Sequence, residues 1–143
     1  MEISVTGIQV DTDGTLNFGD FSTTNKQKVD GFVLENDTYS LRTYDKATRL
    51  EKNASLVLET TPGTKITNFF KETNKEEMSF IAKGFANTII TAQLASDTLY
   101  RITNGKTKLG SMKSNLSGKV KFSVDLSNGK PQQILLEKLK EAN

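Results

Sequence analysis

The chain contains no cysteine, no histidine and no tryptophan. Without cysteine there is no disulfide and no thiolate chemistry. Without histidine the commonest general base is missing. Ser-His-Asp and Cys-His arrangements cannot be assembled, nor can zinc sites of the usual Cys/His kind. Neither a G-x-x-x-x-G-K-[ST] run nor a G-x-G-x-x-G run occurs, so nothing supports a phosphate cradle. There are only two prolines and no long biased tract, which is the composition of a chain that folds throughout. No apolar stretch approaches the roughly 20 residues of a membrane helix, so membrane insertion is not expected. Met1-Glu2-Ile3-Ser4-Val5 leads directly into a strand pattern instead of a charged-then-apolar leader. That makes a cytoplasmic address the expectation, with signal-less export left open.

Charge of one sign is also scarce. Nineteen basic and seventeen acidic residues give a net charge of +2, and the two signs are interleaved. Such a surface is not a nucleic-acid footprint. The longest basic excess, Lys106 to Lys121, holds five lysines and no acid, and its alternation reads as the solvated face of strands.

What is present is β patterning. Thr98 to Leu126 reads as three strands cut by two turns, one at Asn104-Gly105, a strong type I′ hairpin signal, and one at Ser114 to Gly118. After the second turn Val120, Phe122, Val124 and Leu126 alternate with Lys119, Lys121, Ser123 and Asp125, the period of a half-buried antiparallel strand. Further strands are expected over Ile3 to Val10 with Gly7 as a bulge, Thr15 to Phe18, Val29 to Leu34, Thr38 to Tyr44, Ala47 to Leu50, Ser55 to Thr60, Lys65 to Phe70, Met78 to Ala82 and Thr88 to Leu94. Lys71 to Glu77 reads as a charged hairpin tip. Gln132 to Lys140 fits a strand or a short helix, and the preceding Asn128-Gly129-Lys130-Pro131 turn favours a closing strand with a frayed tail. The expected class is all-β, an antiparallel sandwich-like fold. It divides into an N-terminal β module, 1–68, and a C-terminal sandwich-like module, 69–143, in tandem or packed as one domain.

Candidate sites are few. Asp11-x-Asp13-Gly14 offers oxygen ligands, but its spacing departs from an EF-hand loop and matches a hairpin turn better. Glu76-Glu77 lies at the charged tip, where solvent keeps carboxylates ordinary. Tyr39, Tyr44 and Tyr100, with Arg42, Arg49 and Arg101 beside them, are the residues that could present planar faces and donors to a sugar; alternatively the tyrosines sit at the core edge with wet hydroxyls. Lys65, Ile66, Thr67, Asn68, Phe69 and Phe70 form a candidate edge strand for pairing with another copy. No metal and no other cofactor is expected.

Three pieces carry a family resemblance: Tyr39 to Asn53, Glu59 to Thr64 with Asn68-Phe69, and Gly110 to Leu126. They resemble small clostridial-type proteins commonly labelled "endosialidase", and the likeness runs from about residue 15 onward. Relatives in that pattern carry Ala-Val-His where this chain has Lys65-Ile66-Thr67. The label implies sialic-acid hydrolysis. A propeller sialidase, however, uses an arginine triad, a Tyr–Glu nucleophile pair and six four-stranded blades, well over twice this length. The expected function is therefore a non-catalytic structural or interaction protein that self-associates as a homo-oligomer. The alternative is a carbohydrate-binding module with a glycan ligand.

Overall fold

The computed structural model describes residues 3–5, 7–72, 74 and 76–139. The N-terminal residues 1–2, two positions of the predicted 71–77 tip and the predicted frayed tail from residue 140 lie outside the described residues. Among the described residues the chain forms fourteen strands and no helix. They are β1 (Ile3–Val5), β2 (Ile8–Val10), β3 (Leu16–Phe18), β4 (Gln27–Leu34), β5 (Asp37–Tyr44), β6 (Ala47–Lys52) and β7 (Ser55–Thr61), then β8 (Lys65–Lys71), β9 (Glu77–Lys83), β10 (Asn87–Gln93), β11 (Leu99–Asn104), β12 (Thr107–Lys113), β13 (Lys119–Asp125) and β14 (Gln132–Lys138).

Two antiparallel sheets pack face to face. The larger has eight strands in the order β1-β2-β3-β8-β9-β14-β11-β12, and the smaller has six in the order β13-β10-β7-β6-β5-β4. The class is the one expected, a β-sandwich. Period-2 patterning decides which face is buried: in β13, Val120, Phe122 and Val124 are buried while Lys119, Lys121, Ser123 and Asp125 are exposed. One core runs through both sheets, from Ile8 and Phe18 through Leu41, Leu50 and Leu58 to Phe80, Ile90, Ile102 and Leu136. Residue 68 falls inside β8, and both halves of the chain contribute strands to both sheets.

Several details differ from the sequence-based expectations. Ile3 to Val10 is not one bulged strand. The chain reverses at Gly7, with φ of 96°, and Val5 pairs with Ile8. A bulge conserves strand direction, whereas this positive φ allows a tight reversal. β11 and β12 form a hairpin as expected, but Asn104 pairs with Thr107, so the two turn residues are Gly105 and Lys106. Of these only Gly105 has a positive φ, 60°, which is the type II′ pattern and not the expected type I′. β13, however, does not continue beside β12. The Ser114 to Gly118 turn carries the chain to the other sheet, where β13 pairs with β10 over seven residues. Gln132 to Lys138 is a strand, inserted between β9 and β11.

Lys65 to Phe70 is not an edge. It lies in β8, bonded to β3 on one side and β9 on the other. Asn68 adopts φ of 53° there, and the register slips between Thr67 and Phe70. The bulge places Ile66 and Phe69, three residues apart, both in the core and leaves Phe70 exposed.

Where β7 hands the chain to β8, four buried threonines hold the crossing. The Thr48 hydroxyl donates to the Thr64 carbonyl at 2.9 Å and accepts the Thr64 N–H at 3.0 Å. Thr43 and Thr48 hydroxyls are 2.8 Å apart, as are those of Thr60 and Thr64. The Asp20 N–H donates to Thr43 Oγ1 at 2.8 Å, tying in the β3–β4 loop. Gly63 belongs here because a Cβ would collide with the Tyr44 carbonyl. Thr48→Val keeps the shape and removes the hydroxyl, leaving the Thr64 N–H and C=O unpaired in the interior. We expect a loss of about 2 kcal/mol in urea unfolding; a loss below about 0.5 kcal/mol would show that the threonine cluster contributes little.

Candidate functional site

Two features stand out on this scaffold: a cleft at one open end of the sandwich and an uncovered strand at one side.

The cleft has a volume of about 300 Å³ and lies between β3 and β8 of the larger sheet and β4 to β7 of the smaller one. Leu16, Val57 and Phe69 floor it, all buried. The rings of Tyr39 and Phe70 face it, and Glu35, Asp37, Lys52, Lys71 and Glu72 stand at its rim. Asp37 is 3.3 Å from the Lys52 ammonium and accepts the Asn53 amide at 2.9 Å. The Asn53 bond, then the lysine, holds its carboxyl below the usual range.

The predicted Tyr/Arg set is divided among several surroundings. Tyr39 is half-buried on the cleft wall, its ring 6.5 Å from that of Phe32. Tyr100 is fully buried, with its hydroxyl accepting the Ala95 N–H at 3.0 Å. Tyr44 lies under the Lys26 ammonium, 5.2 Å from the ring centre. Arg42 and Arg49 are direct cross-strand partners on the outer face of the smaller sheet. Arg42 pairs with Asp30 at 3.0 Å, and Arg49 with Glu51 and Glu59 at 2.9 Å each. Arg101 is exposed on the other sheet, opposite Glu137. These six residues therefore do not share one binding surface. Asp11 and Asp13 serve the turn: Asp13 accepts the Thr15 N–H at 3.0 Å, and Asp11 accepts the Asn17 amide at 2.9 Å. Glu76 and Glu77 join Glu72, Glu137 and Lys138 around a shallow depression beside β14.

The uncovered strand is β12. It is the last strand of the larger sheet and pairs with β11 alone. All seven of its residues are exposed. Met112 sits opposite Tyr100, and Gly110 opposite Ile102. Tyr100 and Ile102 point into the core, so Met112 lies on the inner face of the sheet; yet it is 37% exposed. The smaller sheet does not reach it. Leu109 at 43% and Leu116 at 87% exposure extend this apolar border into the turn that follows.

Sequence reasoning missed Glu35, Asp37, Lys52 and Glu72 as cleft residues and β12 as the uncovered edge. A signal was present for Glu35 and for β12. Glu35-Asn36 puts a glutamate where a type I′ turn ordinarily takes Asn, Asp or Gly, and β12 carries Leu109 and Met112 among lysines. No family model, curated protein or solved structure matches the chain.

The tyrosines give a pH test. Burial raises the phenols of Tyr39 and Tyr100 above the ordinary 10.0, with the Ala95 N–H opposing it at Tyr100. A folded pKa above the unfolded one means the stabilisation is complete below pH 10 and is lost as pH rises through the raised values. Phenolate absorbance should therefore lag an ordinary tyrosine titration and then rise together with loss of near-ultraviolet dichroism. Tyr100→Phe should move that unfolding to higher pH; an unchanged alkaline midpoint would contradict the assignment.

Proposed function

We propose that this chain is a non-catalytic interaction protein that self-associates through the open edge of β12. The carrying observation is that edge: a seven-residue strand, bonded on one side, with every residue exposed despite a leucine and a methionine. Unpaired edge amides and carbonyls are a template for strand addition. β12 itself carries a bulge at Leu109, where the register shifts between Ile102 and Thr103, so what sets it apart from the other edges is an exposed leucine and methionine along seven residues. β1 has three residues, and β4 is kinked between Val29 and Phe32 with Asp30 in between. β13 buries its apolar side chains and shows Lys119, Lys121 and Asp125 outward.

The strand is also compatible with its own copy. An antiparallel two-fold pairing centred on Gly110 sets Thr107 against Lys113, Lys108 against Met112 and Leu109 against Ser111. No lysine faces a lysine, so the pairing avoids the like-charge penalty. Such a pairing would extend the larger sheet across two copies and give Leu109, Met112 and Leu116 a covering surface.

Light scattering after size exclusion, over a concentration series, is the test. The mass should rise above the monomer value of 15.8 kDa with concentration. Leu109→Asp with Met112→Asp should return it to the monomer while the far-ultraviolet dichroism stays that of the wild type. The thermal midpoint should fall, because association no longer stabilises the native state. A wild-type monomer at every concentration, or an oligomer that the double variant leaves intact, would overturn the proposal.

A further inference from the structure

We infer that the cleft between the two sheets is a binding site for a neutral saccharide, separate from the β12 edge. Three observations meet there. The first is shape: about 300 Å³, at the lower end of ligand-site sizes, with a buried apolar floor of Leu16, Val57 and Phe69. The second is Phe70. The bulge at Asn68 turns this ring out of the core, and it stays 45% exposed at the cleft, a large apolar face with no core to serve.

The third is Glu35. It occupies the first central position of the β4–β5 turn with φ of 50°, followed by Asn36 at 71°. A turn with positive φ at both positions favours Asn, Asp or Gly. The β6–β7 turn, which also has two positive φ values, opens with Asn53, followed by Ala54 at 66°. A glutamate there is a locally poor choice, and Glu35 lines the cleft. Locally disfavoured backbone states concentrate at ligand sites.

The rim chemistry selects the ligand class. Glu35, Asp37 and Glu72 bring carboxylate acceptors to the rim and Lys52 and Lys71 bring ammonium donors, with Asp37 already holding Asn53 and Lys52. A polyanion would meet three carboxylates, and a polycation two ammonium groups. A neutral polyol suits both signs, because each hydroxyl donates and accepts. The C–H face of a sugar ring would lie on Phe70, with the Tyr39 phenol at its side.

Calorimetric titration with hexasaccharides of glucose, xylose, mannose and N-acetylglucosamine, with a sialylated and a sulfated oligosaccharide as charged comparators, tests this. At least one neutral probe should bind. Phe70→Ala should weaken it about tenfold. Glu35→Asn should also weaken it about tenfold while raising the thermal midpoint, because it gives the turn a preferred residue. The oligomeric mass should be the same in both variants as in the wild type, which separates this site from the edge. Silence of all four neutral probes, binding of charged probes only, or binding that both variants leave unchanged would overturn the inference.

Discussion

An eight-stranded sheet laid on a six-stranded one cannot be covered across its whole width. That mismatch is the constraint on which the rest of the molecule depends. Inner-face side chains near the middle of the larger sheet, such as Ile66, Met78, Phe80, Ile134 and Leu136, meet the smaller sheet and are essentially inaccessible to solvent. Toward the β12 border the facing layer runs out. Tyr100 and Ile102 on β11 are still covered, while Met112, one strand further out, is not. In the proposed self-association, burying that remainder would supply an apolar gain, and the free backbone edge would give it a direction.

The chain route interleaves the two sheets. After β7 the strands pass repeatedly between sheets: β8 and β9 in the larger, β10 in the smaller, β11 and β12 in the larger, β13 in the smaller, β14 in the larger. Each crossing needs a turn that satisfies its own polar groups. The buried threonines Thr43, Thr48, Thr60 and Thr64 do this at the β7–β8 crossing. Ser114 does it at the β12–β13 crossing by donating to the Ala95 carbonyl at 2.6 Å and accepting the Thr98 N–H. Among the described residues no buried side-chain nitrogen or oxygen lacks a partner. This regularity stops at two places, the open end with the cleft and the open side with β12.

Much of the fold was legible because strand patterning is local. The alternation in Lys119 to Asp125 gives both the strand and its buried face, and Asn104-Gly105 places the hairpin to within one residue but not its turn type, since the turn residues are Gly105 and Lys106. Pairing is not local. Nothing near Ser114 to Gly118 distinguishes a turn that returns to the same sheet from one that crosses to the other. Nor does Lys65 to Phe70 reveal that three N-terminal residues, Leu16–Phe18, will close its free side. The Tyr/Arg candidates lie apart for the same reason. Tyr39 and Tyr100 both precede alternating apolar residues, but Tyr100 falls under the other sheet, while Tyr39 falls at the cleft mouth. Single-site signals did exist in Glu35 and Met112. They are legible only as misfits, residues that the local structure does not ask for.

Hydrogen exchange at the backbone amides of Thr107–Lys113, measured by mass spectrometry from dilute to concentrated protein, tests edge pairing most directly. Strand addition predicts that protection in this segment rises with concentration while β4 amides stay unchanged. Exchange in β12 that is equally fast at every concentration would contradict the account.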